Sequence, residues 1–265
     1  MRFSDFEREQ FARDGFVIRE SVFSGDEVEA LRVAVEDVAA RVTARATREG
    51  AGPERTMHDG HRIQSSSMAN IQWEWRDGSQ EIRLVEPCTH LDDRLDALWN
   101  DARFIEPMKD ALAVDDIGPF TSKLNLKRAK EGSPFPFHQD YPYWYMAAES
   151  AASDIATAIL YLDDARAENG AVRVVAGSHH NGPAPRDPNA ADPSLADPAK
   201  VDLDKEVIAE APAGSVLFFG ALLVHRSAPN TTGGHRRALL LSYQPAGRPL
   251  LNQLPWRPEL LAELP

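Results

Sequence analysis

GSVLFFGALLVHRSAPNTTGGHRR, residues 214 to 237, sets the architecture of this chain. A glycine leads an apolar run, Ser215 to Phe219. A Gly-Ala break follows, and a second run, Leu222 to Arg226, closes on a histidine and an arginine. Pro229, Asn230 and two glycines then precede a third run, Arg237 to Tyr243. Runs this short, apolar and parted by Gly, Pro and Asn read as strands joined by turns. The same texture continues back toward Asp116, through Phe120 to Lys127, Phe135 to Tyr141, Ile155 to Leu162, Ala171 to Val175 and Glu206 to Ala209. The second half therefore predicts a mainly β fold, a barrel or jelly roll with flanking helices.

The first half has a different period. Phe3 to Arg13 is a short amphipathic helix stopped by Asp14-Gly15, and Phe16 to Arg19 is a strand. Ser24, with Glu27 three residues on, makes a capping box. Val28, Leu31, Val35, Val38 and Val42 then keep helical spacing to about Arg45. Gly50 to Asn70 lacks periodicity and reads as a surface loop or a lid. Two helices, Leu91 to Asn100 and Ala102 to Ala113, complete a flank over residues 1–115. The β core spans 116–245, and the whole chain, 1–265, is expected to form one domain. Helices before strands argue against alternating βαβ units. Pro183 to Lys200, rich in Pro, Ala and Asp, predicts a long loop.

Composition narrows the function classes. A formal charge of −12 disfavours a nucleic-acid partner, because the phosphate backbone favours a basic face. No apolar run is long enough to span a membrane. The charged start, MRFSDFEREQFARDGF, lacks a signal-peptide core, and a single cysteine, Cys88, permits no internal disulfide. A cytoplasmic protein acting on a small molecule is the expectation; the sequence fixes neither that molecule nor the oligomeric state. No GxGxxG, Walker A, GxSxG or HExxH motif occurs.

The chemistry concentrates in FPFHQDYPYWY, Phe135 to Tyr145. On a strand, His138 and Asp140 share one face while Gln139 points away. An imidazole and a carboxylate side by side are two of the three ligands of a facial triad, and His225 can supply the third. Arg236 follows His225 eleven residues on. A guanidinium at the start of a strand can grip a carboxylate through two parallel hydrogen bonds. Arg237 is its rival, since strand register decides which one points inward.

With these motifs in place, the sequence resembles the phytanoyl-CoA dioxygenase family of Fe(II)- and 2-oxoglutarate-dependent oxygenases, which includes ectoine hydroxylase. The resemblance runs from FEREQFARDGFVIRESVFSGDEVEALR (6–32) through ENGAVRVVAGSH (168–179) to the strand at 237–243. It implies a double-stranded β-helix with a cupin-like core. It implies Fe(II) on His138, Asp140 and His225, with these three at the catalytic centre, and O2 as oxidant. The 2-oxoglutarate co-substrate falls to Arg236 and Asn125, with Thr121 and Ser227 at nearby co-substrate positions. Trp144 falls at a substrate position. Tyr141, in the aromatic run beside it, and Gln72, in the cluster Gln72, Trp73, Glu74 and Trp75, are further substrate candidates. The activity implied is hydroxylation, or another oxidation, of a C–H bond, with release of succinate and CO2. Related halogenases replace the carboxylate ligand by a small residue, so Asp140 favours oxidation.

Two other classes compete. One is a catalytically silent ligand-binding β-barrel that retains its metal residues. The other is a cupin-like metalloenzyme that does without 2-oxoglutarate, which would leave Arg236 and Asn125 without a task. Elsewhere, His58, His61, His179 and His180 read as loop residues, His235 as facing outward, His90 as lacking a partner pattern, and Cys88 as structural. Lys123 and Lys127 share a strand face with Asn125, where one of them could meet an anion.

Overall fold

The structure is a computed structural model and describes residues 1–49, 54–56, 61–74 and 81–265. Helix α1 (Asp5–Asp14) starts two residues after the predicted Phe3, at a cap: the Ser4 hydroxyl caps the Glu7 amide and the Glu7 carboxylate returns to the Ser4 amide. It ends at Gly15, whose φ of 85° is left-handed. A side chain there is also excluded by space, since a Cβ would lie 2.5 Å from the His179 ring. Strand β1 (Phe16–Arg19) matches the sequence reading. Helix α2 (Gly25–Glu49) opens on the Ser24–Glu27 box and buries Val28, Leu31, Val35, Val38 and Val42 on one face. Burying each such side chain contributes roughly 1.5–3 kcal/mol.

Beyond α2 the helical flank departs from expectation. Strands β2 (Glu54–Thr56), β3 (Arg62–Ser65), β4 (Asn70–Trp73) and β5 (Ile82–Glu86) pair antiparallel in succession, where the sequence predicted a loop or lid over Gly50 to Asn70 and a strand only just before Cys88. Their alternation is too brief to stand out: Ile71 and Trp73 are buried in the same core as the apolar face of α2, and only the polar Gln72 lies between them. The predicted helix at Leu91 to Asn100 resolves into α3 (Asp93–Asp96) between two 3-10 turns, whereas α4 (Ala102–Leu112) is one helix.

The remaining strands are β6 (Ile117–Lys127), β7 (Phe135–His138), β8 (Ala156–Tyr161), β9 (Val172–Val175), β10 (Glu206–Ile208), β11 (Val216–Gly220), β12 (His225–Ser227) and β13 (Arg236–Pro245). Helix α5 (Asp140–Ala148) follows β7 directly. Two antiparallel sheets result. The major one runs β1-β11-β8-β13-β6-β5-β4-β3-β2 and the minor one β10-β9-β12-β7. This is a cupin-like jelly roll, the double-stranded β-helix. Leu124, Leu126, Leu160, Leu239 and Leu241 of the major sheet pack outward with α2 and α4. Ile159, Tyr161, Leu217, Ala238 and Leu240 pack inward against Val172 and Val174 of the minor sheet. Among the described residues no helix is long and apolar enough to cross a membrane.

Candidate metal centre

The predicted strand to Tyr141 stops at His138, and Asp140 is the first residue of α5. Gln139 between them is still extended, at φ −113° and ψ 150°, so alternation carries through and sets Asp140 on the side of His138. β12 pairs with β7 through His225↔His138 and then Ser227↔Phe135, so β7 carries an extra residue, a bulge. Bulges re-aim side chains beside active sites. Here the bulge leaves His138 across from His225, with ring centroids 4.1 Å apart. Gln139 turns away, as expected, and its amide holds the carbonyls of Gly182 and Leu222 and the Ala184 amide. The chain then bends into α5 and presents Asp140 to the same point.

Ligand atoms of His138, Asp140 and His225 all lie within 4.8 Å of one another. Each imidazole has its Nδ1 against a backbone carbonyl two residues upstream: Pro136 at 2.8 Å for His138 and Leu223 at 2.9 Å for His225. A carbonyl only accepts, so Nδ1 carries the proton and Nε2 keeps its lone pair for a metal. Burial, and then His225, push the His138 pKa down to about 3, which keeps the ring neutral. The Thr157 hydroxyl lies 3.5 Å from Asp140 Oδ2 and 2.9 Å from Ser242 Oγ. Sequence reading passed over Thr157 and Ser242. The signal was there, one aliphatic hydroxyl among the apolar residues of each of the strands ATAILY and RRALLLSYQP.

Arg236 points between the sheets. It is 2% exposed, and its Nε is buried without a partner. Burial lowers its pKa to about 10. Arg237, on the opposite face, is bound to Asp163 and Glu36. Asn125 sits one inward position along β6 from Lys127, which is the register partner of Arg236, and the Asn125 Oδ1 is also buried without a partner. Buried polar atoms are almost always hydrogen-bonded, so these orphans mark a place for a polar ligand. Two nitrogen donors and one carboxylate, with a guanidinium of unpartnered Nε pointing between the same sheets, suit Fe(II) and a dicarboxylate.

The other candidates are distributed around this centre. Ser227 is buried opposite Phe135. The Thr121 hydroxyl donates to Glu86 at 2.7 Å. Trp144 is 1% exposed and packs edge-on to Phe120, with its Nε1 unpartnered. Tyr141 stacks obliquely on Tyr145, and Gln72 accepts from Arg83. Lys127 is buried, its Nζ donating to the carbonyls of Ser133 and Ala228. The loop at 183–200 lies alongside the centre: Leu195 bridges to His138, and Asp192 accepts from the Tyr143 hydroxyl at 3.0 Å. His61, expected in a solvated loop, is 3% exposed and bonded to Ser133 Oγ. His90 finds a partner in the Met68 carbonyl. His179 and His180 bond the last carbonyls of α1, and Cys88 is buried with its thiol pushed up to about 12. His58 and Trp75 lie outside the described residues.

A family model described as phytanoyl-CoA dioxygenase (PhyH) matches residues 11–238. Among characterised proteins, the L-proline trans-4-hydroxylase of Streptomyces griseoviridis is 26% identical over 191 residues, 63% of this chain and 69% of its own length. The ectoine dioxygenase of Bordetella parapertussis is 25% identical over 249 residues, 89% and 73% respectively. Among solved structures, EctD from S. alaskensis with 2-oxoglutarate and 5-hydroxyectoine superposes with a TM-score of 0.68 at 22% identity. The match covers 94% of this chain and 78% of that one. The carbocyclase SnoK gives a TM-score of 0.67 at 20% identity, covering 97% and 87%. At these identities the structural likeness establishes the fold.

Proposed function

This chain belongs to the phytanoyl-CoA dioxygenase family, and from that premise we propose that it is an Fe(II)- and 2-oxoglutarate-dependent oxygenase. It oxidises a C–H bond of a small molecule, most simply by hydroxylation, and releases succinate and CO2. One observation carries the reading past the family name. A buried guanidinium with an unpartnered nitrogen, Arg236, points between the same two sheets that carry the two-histidine, one-carboxylate cluster. A metalloenzyme without a dicarboxylate would have no use for that buried charge, which is costly to leave unpaired.

His138, Asp140 and His225 would hold the iron on one side and leave its other positions open. Bound Fe(II) supplies the activation of O2 that no side chain here can provide. The carbonyls of Pro136 and Leu223 fix both histidine tautomers, so the ligands are oriented before the metal arrives. Arg236 takes the distal carboxylate of 2-oxoglutarate through paired hydrogen bonds, and the Asn125 amide lines the same floor. Retention of Asp140 leaves no room for a halide in its place. The relatives named above act on L-proline and ectoine, both small and polar, which supports a small-molecule substrate.

The test is anaerobic titration with Fe(II) and 2-oxoglutarate, followed by visible absorption. A weak metal-to-ligand charge-transfer band is expected, absent in His138→Ala and weakened in Arg236→Ala. Iron binding with no band would sink the co-substrate assignment.

A further inference from the structure

The inner face of the major sheet carries a charged pair for which the oxygenase chemistry has no task. Lys123 projects from β6 on the same face as Thr121 and Asn125, and Glu86 ends the neighbouring β5. Lys123 Nζ stands 3.9 Å from Glu86 Oε1. That exceeds the roughly 2.7–3.2 Å of a hydrogen bond. Both side chains are largely enclosed, 17% and 22% exposed. The Thr121 hydroxyl engages Glu86 Oε1, pinning the carboxylate on this face and leaving Oε2 to another donor.

The pair lies on the metal side of the sheet. Lys123 Nζ is 5.9 Å from the centroid of the Trp144 ring, and its charge is felt at His138. Burial works against the ammonium, but the carboxylates of Glu86 and Asp140 outweigh it and keep it protonated.

An enclosed ammonium and carboxylate that stop short of closing on each other offer donors and an acceptor to a third party. A ligand with one charge would satisfy one member and leave the other enclosed and unbalanced, at a cost. A ligand carrying both charges satisfies both. We propose that Lys123 and Glu86 form a substrate subsite selecting a small zwitterion, a free amino acid or a compact relative of one. Lys123 holds its carboxylate and Glu86 its cationic nitrogen, so that a C–H bond is offered to the metal corner. This rests on the oxygenase reading above.

The experiment uses the full chain loaded with Zn(II), which takes the same nitrogen and oxygen ligands without redox chemistry, and with 2-oxoglutarate. Ligand-observed NMR then scores the proteinogenic free L-amino acids, each beside its N-acetyl and carboxamide analogues. At least one free amino acid is expected to bind, with either cap weakening it by about tenfold or more, the factor that accompanies the loss of one buried charge contact. Lys123→Met and Glu86→Gln are expected to weaken it likewise. Lys123→Arg is expected to stay within a few-fold of the parent, and 2-oxoglutarate affinity to be unchanged in all three. The subsite is overturned if no free amino acid binds, if capped analogues bind equally well, or if Lys123→Met binds like the parent. Failure of 2-oxoglutarate to bind the Zn(II)-loaded parent would instead remove the oxygenase reading, and the subsite with it.

Discussion

Arg236 and Arg237 are consecutive residues on opposite faces of β13, and their surroundings share almost nothing. Arg237, on the outer face, spends its donors within the protein: Nη2 meets Asp163 at 2.7 Å and Nη1 meets Glu36 at 3.0 Å. Arg128 reaches Glu36 from β6's end at 2.7 Å, so the outer face closes its charges on itself. Arg236, on the inner face, is more deeply buried and keeps Nε unpaired. Its cross-strand neighbour is Lys127, whose pKa is held down by burial and then by Arg236 itself. A closed network outside and open polar groups inside separate what holds the sheet together from what the sheet offers a ligand.

The harshest test of that contrast is at the metal corner of the inner face. Asp140→Ala or His225→Ala should cost metal affinity more than the roughly 10–100-fold that loss of an outer-shell partner costs. Thermal stability of the metal-free protein should barely change. Calorimetric titration with Zn(II), alongside thermal denaturation, measures both quantities. A variant that bound metal normally but melted early would place these residues with the structural face.

Next in size is the arginine pair itself. Arg236→Met should weaken 2-oxoglutarate binding by about 30-fold or more, the effect of truncating one partner of a buried charge pair by ~2 kcal/mol or above. Its metal-free stability should hold or rise, because a buried uncompensated charge is removed. Arg237→Met should do the reverse, leaving 2-oxoglutarate affinity alone and costing about 1–2 kcal/mol of stability through its lost ion pairs. Denaturant melts and 2-oxoglutarate titrations on both variants would show the two effects crossing. If both lose affinity equally, the faces are not separated in function.

These regions were not equally legible in the sequence. β13 alternates from Arg236 to Ser242, so once the register is known Arg236 and Arg237 are sorted, and the spacing from His225 that the family resemblance implies favoured Arg236. The metal corner follows the same rule across the extended Gln139, but the bulge in β7 and the start of α5 at Asp140 leave no mark in the sequence pattern. The strand predicted to Tyr141 stops at His138, and the aromatic run Tyr141 to Tyr145 lies within α5, where Phe120 and Ala221 pack against Trp144. β2 to β4 were missed because their alternation is short and part of it is polar, and the strand before Cys88 was given no partner. The meeting of Glu86 with Lys123 depends on that partner, since the β5–β6 pairing makes them neighbours.

The smallest expected effect is a pH dependence on the outer face. Burial alone would raise the pKa of Asp163 and Glu36, but the arginines outweigh it and hold both below their ordinary 3.8 and 4.5. A carboxylate with a depressed folded pKa binds protons more readily when unfolded. Its stabilisation is therefore complete above the ordinary value and fades as pH falls through and below it. The melting-temperature gap between the parent and Arg237→Met should then be widest near neutral pH and narrow as pH drops below about 4.5. The narrowing is partial, because Arg128 still holds Glu36 and Arg32 still reaches Asp163 at 3.3 Å in the variant. Arg236→Met removes no ion-paired carboxylate, so its gap to the parent should stay flat over the same range. A gap that stays flat for Arg237→Met would mean the outer network contributes by packing, and the contrast between the two faces would lose its electrostatic half.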